Sequence, residues 1–290
     1  MRVAISFDYD SPVGYRESFG KTHYDPASDL KGTEALLKVL AAHGVKTTFA
    51  VVGRVALPGN PPDHCPDQIR QILAEGHEVA SHSMHHRFLP SMRDRELVED
   101  ARASKQALEA CIGSPIRGFI PPFNRPSHFP QKGAFSFSEQ FGLQGRGRGR
   151  QSVGSLFSTL GDLGFGWCRI SYQNSFENLG VKLGFRSRSA PVQPFLFRGL
   201  VAVPLHATGF GETSSALVRR LLPTDALLAL YAHPNQALDH SIPNDESAAL
   251  LDRFLASFEK ERRDGKIRFE TMAQVEREAR NLTISEATTH

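Results

Sequence analysis

The sequence predicts an α/β fold of parallel strands and amphipathic helices, a barrel or distorted barrel, with an open doubly wound sheet as the structural alternative. Strand-like apolar runs alternate with helical periodicities from Val3 to Ile120, which is the pattern of βα units. The helical stretches stop at Gly44, Gly76 and Gly113, residues suited to a left-handed C-terminal cap. No Gly-x-Gly-x-x-Gly follows the first strand, where a dinucleotide site would need one. Asp8-Tyr9-Asp10 stands there instead.

Val3 to Asp8 reads as the first strand. Leu36, Leu37, Val39 and Leu40 recur at helical spacing within Thr33 to His43, and Val45 to Val52 follows as the second strand. Asp67 to Glu75 is a helix by Ile69, Ile72 and Leu73, leading into the strand His77 to Ser81. A long helix from Arg93 to Cys111 precedes the strand Ile116 to Ile120, which runs into Pro121-Pro122, where further helix is forbidden. From Asn124 to about Gly154 the pattern gives way to Pro, Gly, Ser, Phe and Arg. Long loops of this kind are lids, binding insertions or disordered segments.

Order returns with a helix at Leu156 to Leu163 and strands at Gly166 to Tyr172 and Gly199 to Leu205, and Asp225 to His233 reads as a last strand or a short helix feeding one. Asn244 to Arg263 reads as one amphipathic helix, and Ile267 to Phe269 and a helix from Met272 close the fold. The expected organisation is one domain over residues 1–283 with a long insertion at about 125–198, and a flexible tail at 284–290.

The 290 residues, 40% hydrophobic with 20 Phe, can bury a sizeable core. A net charge of +3 supplies no whole-molecule field for nucleic acid or a membrane surface. The one basic cluster, Arg146, Arg148 and Arg150 alternating with glycines, reads as a solvated loop before it reads as a phosphate contact. Cys65, Cys111 and Cys168 show no Cys-x-x-Cys spacing and imply no disulfide framework. The apolar run before Asp8 is too short for a signal peptide, and no later run is long enough to span a bilayer. A cytoplasmic protein without stable membrane insertion or a nucleic-acid partner is expected, its oligomeric state open.

Alternation along a strand puts Asp8 and Asp10 on one side and Phe7 and Tyr9 on the other. Two carboxylates in one small space favour a bound cation or a shared proton, and can leave one ready to act as a base; solvated carboxylates after the strand are the bland alternative. Ser81-His82-Ser83-Met84-His85-His86 adds two histidines four apart, the spacing at which helical side chains share a face and can grip one ion. His85 is out of phase and reads as a bystander. The C-terminal ends of parallel strands share one face, so Asp10, His82 and His86 are expected to converge there. Two imidazoles and a carboxylate suit one divalent transition metal, zinc first, with cobalt, nickel, iron or manganese compatible. His233, ending a late apolar run, is placed to protonate a leaving amine, and His206 is its rival.

In order and spacing the chain resembles the NodB-like polysaccharide deacetylase superfamily, the family-4 carbohydrate esterases. The resemblance rests on the early Asp pair, His82-Ser83-x-x-His86, Gly118-Phe119-Ile120-Pro121-Pro122-Phe123 and Leu230-x-x-His233-Pro234. It implies a distorted (β/α)7 barrel with one divalent ion, Asp10, His82 and His86 as ligands, Asp8 as base and His233 as acid. Three departures accompany it. Tyr9 splits a normally adjacent Asp pair, as in the allantoinase-like and peptidoglycan-deacetylase branch. Ile120 stands where an arginine steadying the base is expected, with Arg117, Asn124 and Arg125 as substitutes. The Asp-Trp segment that tunes the acidic histidine has no counterpart. The implied activity is hydrolysis of a C–N amide bond, removal of an acetyl or formyl group from an N-acylated amino sugar. A small cyclic amide as substrate, or an inert metal- and glycan-binding barrel, are the alternatives.

Overall fold

The computed structural model describes residues 1–20, 25–124, 152–171, 193–238 and 245–288. Its strands are β1 (Arg2–Tyr9), β2 (Thr48–Val51), β3 (Glu78–Ser81), β4 (Gly118–Phe119), β5 (Trp167–Ser171), β6 (Phe195–Phe197), β7 (Leu200–Leu205), β8 (Ala207–Thr208), β9 (Leu227–Ala232) and β10 (Arg268–Glu270). The helices are α1 (Ser11–Phe19), α2 (Ser28–His43), α3 (Pro66–Ala74), α4 (Asp94–Ile112), α5 (Val153–Asp162), α6 (Glu212–Leu221), α7 (Ala248–Ser257), α8 (Glu259–Arg263) and α9 (Met272–Thr288).

The strands β9, β1, β2, β3, β4, β5 and β7 pair in that order, every pair parallel. The ring then closes through the backbone. β7 runs along β5 as far as Ser171↔Leu205, passes through His206, and continues as β8 beside β9 with Ala207↔Leu230. One bent strand therefore joins both free edges, giving the seven-stranded, distorted βα barrel expected from the sequence rather than the open sheet. β10 pairs with the start of β1, and β6 is an antiparallel edge on β7.

Two-residue alternation sorts the side chains. Val3, Ile5, Phe7 and Tyr9 face the helices, packed with Leu36, Leu37 and Leu40 of α2, each of which stabilises the fold by roughly 2 kcal/mol through burial. Ala4, Ala50, Ala80, Ile120, Val201, Val203 and Ala229 form a separate inner cluster in the barrel. Small residues there leave room for two large ones, Trp167 and Arg169, both fully buried. Gly118 makes way for the indole, since a Cβ at this position would fall inside the Trp167 ring. The Trp167 Nε1–H donates to Glu78 Oε1 at 3.0 Å, and Glu78 Oε2 accepts from Ala273 N at 2.8 Å, so α9 closes the end of the barrel opposite the strand C-termini.

Several elements depart from expectation. Helix α1 has no clear sequence signal, because Pro12 and Gly14 interrupt its periodicity; Pro12 is tolerated in the first turn. The helix expected over 244–263 begins at Ala248, where Ser247 Oγ accepts from Leu250 N at 3.3 Å, and breaks at Phe258. Within the stretch read as an insertion at 125–198, β5 is a barrel strand and α5 packs on the core. The tail expected from 284 is helical to Thr288, with no Pro or Gly to stop α9. Arg125 and the Gly-Arg run 145–150 lie outside the described residues. Among the described residues no helix is long and apolar enough to cross a membrane.

Candidate metal centre and hydrolytic site

Asp8 lies near the end of β1 and Asp10 follows the strand directly, at the start of α1; both are buried. Tyr9 between them points outward, its hydroxyl donating to Gln68 Oε1 of α3 at 3.0 Å. The strand pleat thus separates Asp8 from the tyrosine that follows it.

His82 follows β3 directly, and His86 joins it by a route other than helical spacing. Residues 82–88 are not helical. Ser83 and His86 adopt left-handed backbone conformations, with φ of 65° and 54°. Their turn is pinned by Ser83 Oγ accepting from His86 N at 2.9 Å and by Asp100 of α4 accepting from Met84 N at 2.8 Å. The expected helical pair is therefore a tertiary loop, because the histidine backbone bonds to α4 and to its own serine instead of to a fourth-residue carbonyl. Gly14 allows α1 to lie against it: a Cβ there would sit 2.9 Å from the His86 Cβ. His85 turns away toward Glu17, 4.0 Å off.

One ligand atom from each of Asp10, His82 and His86 lies within 4.8 Å of the others. Asp10 Oδ1 is 3.2 Å from both imidazole Nε2 atoms. The hydrogen bonds fix the tautomers. His82 Nδ1 is 2.8 Å from the Ile120 carbonyl oxygen, which only accepts, so Nδ1 carries the hydrogen. Ser18 spends its one O–H on the His86 carbonyl, so His86 Nδ1 donates to Ser18 Oγ at 2.9 Å. Both Nε2 atoms then present lone pairs toward a carboxylate oxygen, an arrangement that repels itself unless a cation sits between them. Burial pushes His86 down, with Asp10 opposing. The donor set fits a tetrahedral transition metal with an open position, and each Nδ1–H is oriented by a second group as such ligands require.

Asp8 makes a buried ion pair through Oδ2 with Arg169 of β5, while its Oδ1 is buried without a hydrogen-bond partner. His233 follows β9. Its Nδ1 lies 2.8 Å from Glu246 Oε2, which also accepts from the His233 backbone N at 2.6 Å. Burial would lower the imidazole's pKa, but the Glu246 carboxylate beside it raises it well above its ordinary value. The bond at Nδ1 leaves Nε2 for a substrate. Tyr15, Phe19, Phe88 and Phe123, all half-buried, gather beside His86; Tyr15 stacks on its ring at 6.0 Å and Phe123 leans on it at 4.9 Å.

Residues 2–131 match the family model described as polysaccharide deacetylase. Over this stretch the chain is similar to the polysaccharide deacetylases. It is similar to a chitooligosaccharide deacetylase of Rhizobium leguminosarum bv. trifolii, 38% identical over 91 residues, covering 31% of this chain and 38% of that one. A peptidoglycan-N-acetylglucosamine deacetylase of Bacillus cereus is 25% identical over 122 residues, covering 42% and 52%. The chain thus spans about two-fifths to one-half of the length of these relatives. A crystal structure from Mycobacterium smegmatis, assigned to the polysaccharide deacetylases, shares the fold across 97% of this chain and 91% of its own, with a TM-score of 0.61 at 19% identity.

The structure brings Asp8, Asp10, His82 and His86 together at one barrel mouth, with His233 close enough to act electrostatically on Asp10. His206, the rival of His233, sits at the barrel seam, its Nδ1 accepting from Ala229 N at 2.9 Å. Arg117 pairs with Glu276 at 2.6 Å and does not serve Asp8. Two residues escaped the sequence reading. Arg169 carried a signal, a charge at an inward position of the otherwise apolar run Trp167-Cys168-Arg169-Ile170. Glu246 carried none, because no local periodicity ties it to His233, 13 positions earlier.

Proposed function

We propose that this chain is a metal-dependent hydrolase that removes an acetyl group from an N-acetylated amino sugar. The observation that carries the reading is the buried triad of Asp10, His82 and His86, accompanied two residues before Asp10 by the buried Asp8, whose Oδ1 has no hydrogen-bond partner. The two nitrogens and one oxygen would hold one divalent transition ion. When bound, such an ion polarises an acyl carbonyl and lowers the pKa of water.

The chain's own groups supply the rest. Asp8 Oδ1 takes a proton from water as its oxygen adds to the amide carbonyl carbon. His233 Nε2 gives a proton to the sugar nitrogen as the C–N bond breaks, releasing acetate and a free amine. Glu246 holds the ring in the tautomer that leaves Nε2 facing the substrate. The half-buried aromatic group around His86 offers an apolar wall on which the C–H face of a sugar ring packs. The similarity to chitooligosaccharide and peptidoglycan-N-acetylglucosamine deacetylases supports an N-acetylglucosamine-type substrate.

The test is elemental analysis of protein purified without chelator, beside acetate release from N-acetylchitotetraose. About one transition metal per chain, lost in His82→Ala/His86→Ala together with acetate release, is the expected result. Stoichiometric metal with no acetate from any N-acetylated sugar refutes the deacetylase reading and leaves a metal-binding barrel.

A further inference from the structure

We propose that Arg169 is the positioning residue of Asp8, supplied from β5 in place of an arginine on β4. The proposal rests on the hydrolase reading above and adds a residue to it.

The strand register shows the relocation. β4 pairs with β5 as Gly118↔Trp167 and Phe119↔Cys168. One step further along this register sets Ile120 beside Arg169. Gly118, Ile120, Trp167 and Arg169 share the inward face, Ile120 and Arg169 both fully buried. An apolar side chain thus occupies the position where the resemblance places an arginine, and the guanidinium enters the same lumen from the neighbouring strand.

Its contacts fix its orientation. Nη1 donates to Ser6 Oγ at 2.7 Å, Nη2 pairs with Asp8 Oδ2, and the guanidinium carbon lies 4.8 Å from the centroid of the Tyr231 ring. Ser6 and Asp8 come from β1 and Tyr231 from β9, so two other strands hold the group. The pair immobilises one oxygen of Asp8 and leaves Oδ1 without a hydrogen-bond partner. A carboxylate so clamped presents a single oxygen in one place, which is what proton abstraction from a positioned water demands.

Stability is a poor explanation for the pair. A buried ion pair gains about what its desolvation costs, and an apolar replacement of similar volume is often neutral or stabilising. The inner cluster that includes Ile120 and Trp167 is otherwise apolar.

Three variants test the proposal: Arg169→Met, which keeps length without charge; Arg169→Lys, which keeps charge without the fork; and the swap Ile120→Arg/Arg169→Ile. Each is followed by thermal unfolding, by zinc titration, and by kcat and KM for acetate release from N-acetylchitotetraose. Arg169→Met is expected to take up zinc, with kcat down by about 10²-fold or more and KM within about threefold of wild type. Arg169→Lys is expected to fall between wild type and Arg169→Met. The swap returns kcat to at least roughly a tenth of wild type, because it restores a guanidinium to the same lumen from the adjacent strand. An Arg169→Met protein that folds, binds zinc and keeps its kcat overturns the proposal. So does a folded, zinc-binding swap with no recovery. If Arg169→Met fails to fold, the swap alone decides. If the wild type releases no acetate, the deacetylase reading fails and zinc affinity still judges Arg169. A several-fold gain in Arg169→Met, from the Asp8 charge left uncompensated beside the ion, sustains the pairing, and loss of zinc binding overturns it.

Discussion

Glu246→Gln separates the charge of His233's partner from its shape. The glutamine amide oxygen can still accept from the His233 backbone N and from Nδ1, now bonded to Glu246 Oε2 at 2.6 and 2.8 Å. Orientation is retained and one negative charge is lost. For charge centres about 4 Å apart at an effective dielectric of about 20, that charge stabilises the imidazolium by about 4 kcal/mol. The side chains of His233 and Glu246 are 25% and 17% exposed at the mouth, so screening by water reduces this to about 2 kcal/mol. The sign follows from the raised pKa of His233: with Glu246 in place the ring keeps its proton to higher pH, and without it the proton is lost at lower pH. The alkaline limb of the kcat/KM profile therefore moves to lower pH in Glu246→Gln. Histidine C–H resonances followed by NMR titration report the same displacement independently of turnover. A limb and an NMR titration both within about 0.3 unit of wild type refute the assignment of Glu246 as the group that charges His233.

Three further outcomes follow from the fold and the site. His77, buried at the start of β3 with Nδ1 accepting from Thr47 N at 3.1 Å, is pushed from 6.5 to about 4 by burial and Lys46. Its stabilisation is therefore complete above pH 6.5 and is lost as pH falls toward 4, about 2 kcal/mol of it by pH 5; urea unfolding of His77→Asn, which keeps an acceptor but does not titrate, should lose that much less than wild type between pH 7.5 and 5. Gly118→Ala drives a methyl group into the Trp167 ring; overpacking here costs about 2 to 3 kcal/mol, read as a lowered Tm and altered Trp fluorescence, and an unchanged Tm contradicts the lumen packing described. Asp8→Asn should keep zinc stoichiometry while kcat falls by about 10²-fold or more, and loss of zinc instead would place Asp8 among the ligands.

Much of the candidate site's grouping is legible in the sequence. A two-residue alternation at the end of a strand already puts Asp8 and Asp10 together, and the face shared by parallel strand ends brings in His82, His86 and His233. These inferences need only the strand period and the direction of the chain. The route by which His86 arrives was not legible, since its turn depends on Asp100 of α4 and on two left-handed residues, neither of them marked by glycine. Helix α1 was equally hidden, because its place is set by close approach to His86 and not by its own periodicity.

The βα order, the early carboxylate pair and the histidines can be read from the chain because each is encoded within a few residues. The closure of the barrel through the bend at His206 and the partners of Asp8 and His233 come only from packing. Arg169 reaches Asp8 across 161 positions of sequence, and Glu246 meets His233 across 13. Such pairs depend on strand register and lumen volume, which arise when distant segments pack and leave no periodic trace in the chain.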